Sequence, residues 1–346
     1  MSAAADQLTS EAIAFAGALR SARSVSTFCH RNPDADTVAG AIAVAQIAER
    51  LGKPSEIVSA DPIPPVLGYL PRVDEVRLAP GLDPDVAVVC DAASLDRLGR
   101  VVEEAGDWFA SARIVNVDHH VTNTRFGEIN LVDPKAAATC EILARCLPIL
   151  ELPLDRELAT TLLTGIVRDS HGFSDRGTSA ETLRVAATLV DAGAELPTIH
   201  RRILTELPYR TMWLWGRMLN SLGQSADGRI VYAVLLREML DHTGTEQHDA
   251  DGLAEFMANA KGADVTILVR ELEPGVNRVS LRVTEAVDAA EIARAFGGGG
   301  HARRAGCTIH GSPEEAVRQL LDVSARALRG EALASPGSTE ARSASG

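Results

Sequence analysis

SVSTFCHRNPDADTVAGAIAVAQIAERLG, residues 24–52, is the stretch on which the fold turns. A short apolar run ends at His30, a turn follows through Asn32-Pro33, and a helical pattern then runs over 37–51 until Gly52 closes it. A strand fed directly into a helix is half of a βαβ unit, and the same grammar recurs downstream. Residues 55–60 read as a second strand, and 85–91 (DVAVVCD) and 113–118 (RIVNVD) as two more, both apolar and both finishing on an aspartate. The sheet interior is hydrophobic and its carboxyl edge acidic.

Helices are expected over 139–147, 156–168 and 179–192, the last closed by Gly193. Residues 195–222 are helical in pattern, with Trp213 and Trp215 between Pro208 and Gly223. After Asp227-Gly228 come strands at 229–236, 264–272 and 278–283, a helix at 289–296, a strand at 306–309 and a helix at 313–328. The fold class is α/β: an N-terminal parallel-sheet domain (20–193) joined by a helical linker (194–228) to a smaller mixed α/β domain (229–329). The small, polar tail 330–346 is expected to be disordered.

With 346 residues, 46% of them hydrophobic and 23% charged, the chain can fill two cores. No run approaches the roughly 18 apolar residues of a membrane span, and the opening MSAAADQLTSEA carries neither a basic nor an apolar leader signal. The expectation is a cytoplasmic protein without membrane partners. Five scattered cysteines, with no CxxC pair, argue against a zinc knuckle or a disulfide framework. The net charge of −13 argues against a grip on long nucleic acid, which needs a stripe of Lys and Arg. A small anionic substrate fits if positive charge is concentrated in one place.

Ligands of open α/β sheets bind outside the carboxyl ends of the strands. His30, Asp34 and Asp36 follow the first strand, Asp91 ends another, Asp118-His119-His120 ends a third, and Asp169 follows a helical run. Each has an ordinary reading alone: Asp34 and Asp36 as N-cap and first-turn acids, Asp91 and Asp118 as turn residues, the histidines as surface or core. Those readings do not explain why all fall on one edge. Carboxylates converging there repel unless cations are present. A donor set of imidazole and carboxylate without thiolate suits two divalent ions, with manganese the first expectation and magnesium or cobalt the others. Paired ions of this kind activate water and clamp a phosphoryl group.

The runs HRNPDAD, VVCDAAS, VDHH and GIVRDSHGF, in this order, resemble the four motifs of the DHH phosphoesterase superfamily. RVSLRV and FGGGGHARRAG resemble the signature of the DHH-associated C-terminal substrate domain. The resemblance spans nearly all of 20–325 and is nearest to the two-domain nano-RNase and 3′-phosphoadenosine-5′-phosphate phosphatase type. It implies that His30 and Asp34 hold one metal, that Asp36, His119 and Asp169 hold a second, and that Asp91 bridges them. Asp118 would orient the histidines and His120 would face the scissile phosphate. Arg282, Gly299, Gly300 and His301 would hold the distal phosphate and base, the glycine run letting backbone N–H groups approach an anion.

Three positions depart from the pattern: Arg304 stands where a small residue is usual, Val283 where Ser is common, and Ser170-His171-Gly172 where Thr-Gly is typical. They bear on substrate preference and leave the metal ligands untouched. The implied activity is hydrolysis of short oligonucleotides and 3′-phosphoadenosine-5′-phosphate. The rivals are a cyclic di-AMP or linear dinucleotide phosphodiesterase, a processive exonuclease, a family II pyrophosphatase and a catalytically silent nucleotide sensor. A homodimer through the Trp213/Trp215 segment is a further expectation.

Overall fold

Five short strands, β1 (Val25–Phe28), β2 (Ser55–Val58), β3 (Val86–Cys90), β4 (Arg113–Asp118) and β5 (Ile129–Val132), form an all-parallel sheet in the order β2-β1-β3-β4-β5. This is a computed structural model in which residues 3–83 and 85–333 are described. β1 and β3 are buried along their whole length because helices cover both faces, so they read as continuous apolar runs. Val86, Val88 and Cys90 point to one core, Ala87 and Val89 to the other. The larger core lies under α1 (Ala3–Ser21), α2 (Ala35–Arg50) and, farther along the chain, the helices Thr139–Leu150, Arg156–Asp169 and Ala180–Asp191. The smaller lies under α3 (Arg100–Glu104) and α4 (Gly106–Ser111), where Phe28, Trp108 and Phe109 stack edge-on and tilted at 4.9–5.4 Å.

The three later helices are α5, α6 and α7 in chain order. Chain order and strand order diverge at β1: the connection to β2 leaves on one side and the chain returns to β3 on the other. The crevice outside the carboxyl ends of β1 and β3 is therefore the topological switch point.

Among the elements of this unit that are additional to the sequence expectation are α1, the short helices α3 and α4, and β5. α1 starts well before residue 20, where the first domain was expected to begin, and buries Ala12, Phe15, Ala16 and Leu19. Its apolar stripe is mostly alanine, which carries little periodic signal. β5 is a four-residue edge strand, too short to stand out from the loop around it. The expected continuous helical segment also breaks: α8 (Leu196–His200) passes into a π-turn, and α9 (Tyr209–Asn220) starts after Pro208. Pro208 disfavours a helical Leu207 and lacks an N–H, so the helix cannot run through. The chain divides there, into Met1–Glu206 and Leu207–Gly346.

The second unit holds a six-stranded mixed sheet in the order β10-β11-β9-β8-β7-β6, from β6 (Gly223–Gln224), β7 (Ile230–Leu235), β8 (Val265–Glu273), β9 (Val276–Val283), β10 (Gly299–Gly300) and β11 (Arg304–His310). Only β7 and β8 pair in parallel. One face packs on α12 (Ala289–Arg294) and α13 (Pro313–Leu328); it has Val265, Ile267, Val279 and Leu281 at its centre. The other packs on α9 and on two short helices between β7 and β8, α10 (Arg237–Thr243) and α11 (Leu253–Met257). Trp215 belongs to this second core, its indole N–H donating to the Asp249 carbonyl at 3.0 Å, whereas Trp213 is 45% exposed. The tail expected to be disordered lies outside the described residues from position 334 onward.

Candidate metal centre

At the end of β1 the chain leaves the sheet through His30 and enters α2, whose N-cap is Asp34: its carboxylate accepts from the backbone N–H of Asp36 and Thr37. The ordinary capping role thus holds for Asp34, and it coexists with a second one, because the same carboxylate lies 3.9 Å from His30 Nε2. Asp36, one residue inside the helix, is fully buried. Its two oxygens accept from the backbone N–H groups of Thr139 (2.6 Å) and Cys140 (3.1 Å), the first turn of α5. A carboxylate at a helix N-terminus meets unsatisfied donors and the positive end of the dipole. α6 comes so close that a Cβ on Gly165 would sit 2.4 Å from Asp36 Oδ1. Only glycine fits there.

Asp91 follows β3 with φ of 61°, a left-handed conformation that costs a non-glycine residue strain and that gathers at functional sites. Its carboxylate lies 3.5 Å from His30 Nε2, 3.5 Å from His119 Nε2 and 3.6 Å from His120 Nδ1, and accepts from the Thr139 hydroxyl at 3.1 Å. His119 Nε2 also meets Asp169, the last residue of α6, at 3.1 Å. Asp118, at the end of β4, is fully buried and accepts from His120 Nδ1 (2.7 Å), the His119 amide (2.8 Å) and Asn123 Nδ2 (2.5 Å). The two adjacent histidine rings meet nearly edge to face, 4.8 Å apart.

Burial, then the neighbouring Asp91 and Asp169 charges, push the Asp36 carboxyl well above its ordinary range. Burial with Asp34 and Asp169 does the same to Asp91. For His119 burial acts downward, but the hydrogen bond to Asp169 and the surrounding Asp36, Asp91 and Asp169 charges outweigh it and raise the imidazole to about 10. The Asp118 bond raises His120 against the effect of burial. Burial likewise raises Asp118, but the His120 bond and charge and the Asn123 bond outweigh it and lower the group.

Among the described residues three trios bring ligand atoms within 4.8 Å of one another: His30, Asp34 and Asp91; Asp36, His119 and Asp169; and Asp91, His119 and His120. Excess negative charge buried beside imidazole nitrogens is a donor set that divalent cations neutralise. Nearby Cys29, Cys90 and Cys140 are buried with their thiols pushed up, so they stay neutral and are poor ligands. The residues present fit divalent ions.

All eight residues named from the sequence for this centre (His30, Asp34, Asp36, Asp91, Asp118, His119, His120 and Asp169) gather at the switch point. Thr139, which donates to Asp91, and Asn123, which donates to Asp118 and to Asn116, carried no sequence signal, since each acts from a segment whose approach is set by packing.

In the second unit Arg282 is not a free cation: Nε donates to Glu255 at 2.8 Å, Nη2 also meets Glu255, and Nη1 donates to the Leu281 carbonyl at 2.9 Å. The glycine run is not an open phosphate loop either. Gly299 and Gly300 pair with Gly306 and Ala305 as strand β10. A Cβ on Gly300, at φ of 146°, would come 2.6 Å from the Ala305 Cα, whereas one on Gly299 would meet nothing within 4 Å. The smallness of Gly300 serves the hairpin, and Gly299 is the glycine with open space beside it.

Residues 24–166 match the family model described as the DHH family, N-terminal domain, and 227–330 match the DHHA1 domain. The chain is 33% identical over 301 residues to the bifunctional oligoribonuclease and PAP phosphatase NrnA of Thermus thermophilus, covering 85% of this chain and 86% of that one. It is 24% identical over 299 residues to the protein of the same name from Bacillus subtilis, covering 85% and 91%. Among solved structures, an exopolyphosphatase-related protein from Bacteroides fragilis superposes with a TM-score of 0.82 at 20% identity, over 93% of this chain and 96% of that one.

Proposed function

The chain belongs to the DHH family and is a phosphoester hydrolase, and on that premise we propose that it releases mononucleotides from very short 5′-phosphorylated oligonucleotides and removes a phosphate from 3′-phosphoadenosine-5′-phosphate. The observation that carries this reading is the sharing of Asp91: two of the three ligand trios contain it, and His119 of the remaining one lies 3.5 Å from it.

His30, Asp34 and Asp91 would hold one divalent ion and Asp36, His119, Asp169 and the same Asp91 the other, with manganese the ion best matched to the donors. Such ions, when bound, polarise a phosphoryl group and acidify an attacking water. The remaining work belongs to the chain. Asp118, pinned by Asn123, takes Nδ1 of His120, which leaves Nε2 as the ring nitrogen that would meet the phosphoryl oxygens and leaving group. The Asp118 bond raises His120 and so favours its protonated ring, which can stabilise developing negative charge and donate to the departing oxygen. The backbone donors of α5 hold Asp36 in place before any ligand arrives. Residues 20–193 are the catalytic domain in this reading, and 229–329 the substrate domain, with Arg282, Gly299, Gly300 and His301 toward the distal end of a short substrate. In this reading the protein works in the cytoplasm.

A manganese-supplemented panel of 3′-phosphoadenosine-5′-phosphate, linear di- to tetranucleotides, cyclic di-AMP and a long single strand tests it. Efficiency should peak at about two to four nucleotides, since a chain of net charge −13 has no cationic track to reward further length. A long strand cleaved as efficiently as a dinucleotide, or cyclic di-AMP preferred over all others, would overturn it.

A further inference from the structure

The loop between His30 and Asp34 carries a cation that the metal centre does not use. Its backbone is pinned at three points: His30 Nδ1 donates to the Arg31 carbonyl at 2.9 Å, the Arg31 amide to the Arg97 carbonyl at 2.7 Å, and the Asn32 amide to Asp61 Oδ2 at 2.7 Å. Asn32 holds the bend in a left-handed conformation, at φ of 51°. The helical turn Leu95–Leu98, which follows Asp91, sets Arg97 beside this loop. The Arg31 stem lies across Gly99, where a Cβ would come 3.5 Å from Arg31 Cβ and 3.8 Å from its Cδ. Two arginines thus stand on the carboxyl edge of the first sheet, one next to the ligand His30 and one on the segment that leaves Asp91.

Arg31 is exposed and Arg97 half-buried, and among the described residues neither guanidinium has a hydrogen-bonded or ion-paired side chain. Both charges reach Asp96, a fully exposed acid whose carboxyl is drawn below its ordinary range first by the Ser94 hydroxyl and then by Arg31 and Arg97. The two side chains therefore converge. Arg100, next along, is spent on the Ala60 carbonyl, to which Nε donates at 2.9 Å and Nη2 at 2.6 Å. Lys135 after β5 and Arg168 in the last turn of α6 also lack such a partner, but each belongs to a different segment. Guanidinium groups beside a centre suited to divalent cations repel those ions, and a solvated aspartate offsets little of that across water. An anion passing over the edge completes the pair through charge-assisted hydrogen bonds.

Both substrates named above present the 3′-phosphoryl group of a 5′-phosphorylated nucleotide to the centre. In 3′-phosphoadenosine-5′-phosphate that group is terminal; in an oligonucleotide the strand continues beyond it. We propose that Arg31 and Arg97 form a lip that holds the phosphodiester following the scissile one. In the reaction the oxygen of water joins the scissile phosphorus, the P–O3′ bond breaks and O3′ leaves with a proton, so the remainder keeps that phosphate as its new 5′ end. A trinucleotide is the shortest substrate that still has a phosphodiester at the lip. A dinucleotide ends there on a nucleoside, and 3′-phosphoadenosine-5′-phosphate stops at the scissile phosphate. The lip therefore separates the oligonucleotide activity from the phosphatase activity of one centre. This rests on the reading of the chain as a hydrolase of short 5′-phosphorylated oligonucleotides.

The test is initial-rate kinetics on the full-length, manganese-loaded chain with 3′-phosphoadenosine-5′-phosphate and with 5′-phosphorylated di-, tri- and tetraadenylate. Arg31→Ala and Arg97→Ala should each raise KM for the tri- and tetranucleotide about fivefold, the scale of an exposed ionic contact. Their kcat should hold, because a contact away from the reacting bonds serves ground and transition states alike. KM for the other two substrates should stay within about twofold. In the unaltered chain the dependence of log KM on log salt should be steeper for the trinucleotide than for the dinucleotide by about 0.7, one phosphate contact on a single strand. That difference should vanish in the double variant Arg31→Ala/Arg97→Ala and survive in Arg31→Lys. Asp96→Asn should lower KM for the trinucleotide, a gain that a damaged loop cannot produce and that decides the matter if the arginine variants lose metal. Equal losses on all four substrates, an unchanged trinucleotide KM in the double variant, or a higher one in Asp96→Asn would overturn the lip and leave the function standing. If none of the four is hydrolysed under any divalent ion, the function falls and calorimetry decides the lip: the double variant should weaken the trinucleotide alone, and equal binding of di- and trinucleotide to both proteins would remove the lip as well.

Discussion

In the first unit carboxylates are buried against one another at the end of a parallel sheet; in the second, two arginines stand opposite each other on neighbouring strands near the surface. Both arrangements set like charges together, and they are relieved differently. Around Asp36 and Asp91 the protein supplies backbone amides, a threonine hydroxyl and three imidazoles, and a negative excess remains that divalent cations can neutralise. Around Arg282 and Arg304 it supplies Glu255, whose side chain is 41% exposed and is held by Arg282 Nε and Nη2. Buried charge requires a rigid, preorganised frame; charge near the surface is met by a single side-chain counter-ion.

The sharpest way to break this contrast is at the shared acid. Asp91→Asn should lower kcat/KM on the order of a thousandfold or more while the far-UV circular dichroism spectrum stays native, since one change withdraws a ligand from both ions. Near-native turnover would show that Asp91 is not shared.

The paired histidines divide the same site more finely. His119→Ala should reduce the metal bound per chain, measured by atomic emission, because His119 Nε2 faces Asp91 and Asp169. His120→Ala should keep the metal and lose about a hundredfold in kcat, the usual scale of a general acid. Equal metal loss in the two variants would erase the division.

A pH series on the chelator-treated protein reads the buried charge directly. Asp36, Asp91 and His119 all have raised folded values, so the folded state binds more protons than the unfolded state and stability falls as pH rises. For His119 the window runs from its ordinary 6.5 up to about 10. The Tm of the metal-free protein should therefore drop across that window, and added manganese should stabilise more at its alkaline end because binding displaces those protons. A metal-free Tm that is flat or rises over the same range contradicts the assignment.

The smallest effects compare rigidity with openness. Gly165→Ala drives a methyl against Asp36 and Cys140 and should cost about 1–3 kcal/mol by urea unfolding, as overpacking does. Gly299→Ala meets nothing and should stay within about 0.5 kcal/mol. A Gly299→Ala as costly as Gly165→Ala would mean that the second site is as tightly built as the first.

Much of the first site is legible in the amino-acid sequence, because buried strands announce themselves by apolar runs and the residues ending them fall at the sheet's carboxyl edge. The opposed arginine pair is not. Arg304 stands out in the sequence only as a misfit, since its opposition to Arg282 depends on a strand register that no local pattern states. Asn123 is invisible for a like reason: it reaches back from the loop after β4 to Asp118 and Asn116.

By itself, then, the amino-acid sequence determined the alternation of strands and helices, the acidic strand ends and the excess of negative charge, because these depend on residues near one another in the chain. Tertiary structure alone decided that α5 turns its N-terminal amides onto Asp36, that one carboxylate lies within reach of three imidazoles, and that two arginines come to share one acid. Those outcomes depend on crossover geometry and register, which are set when separate segments pack.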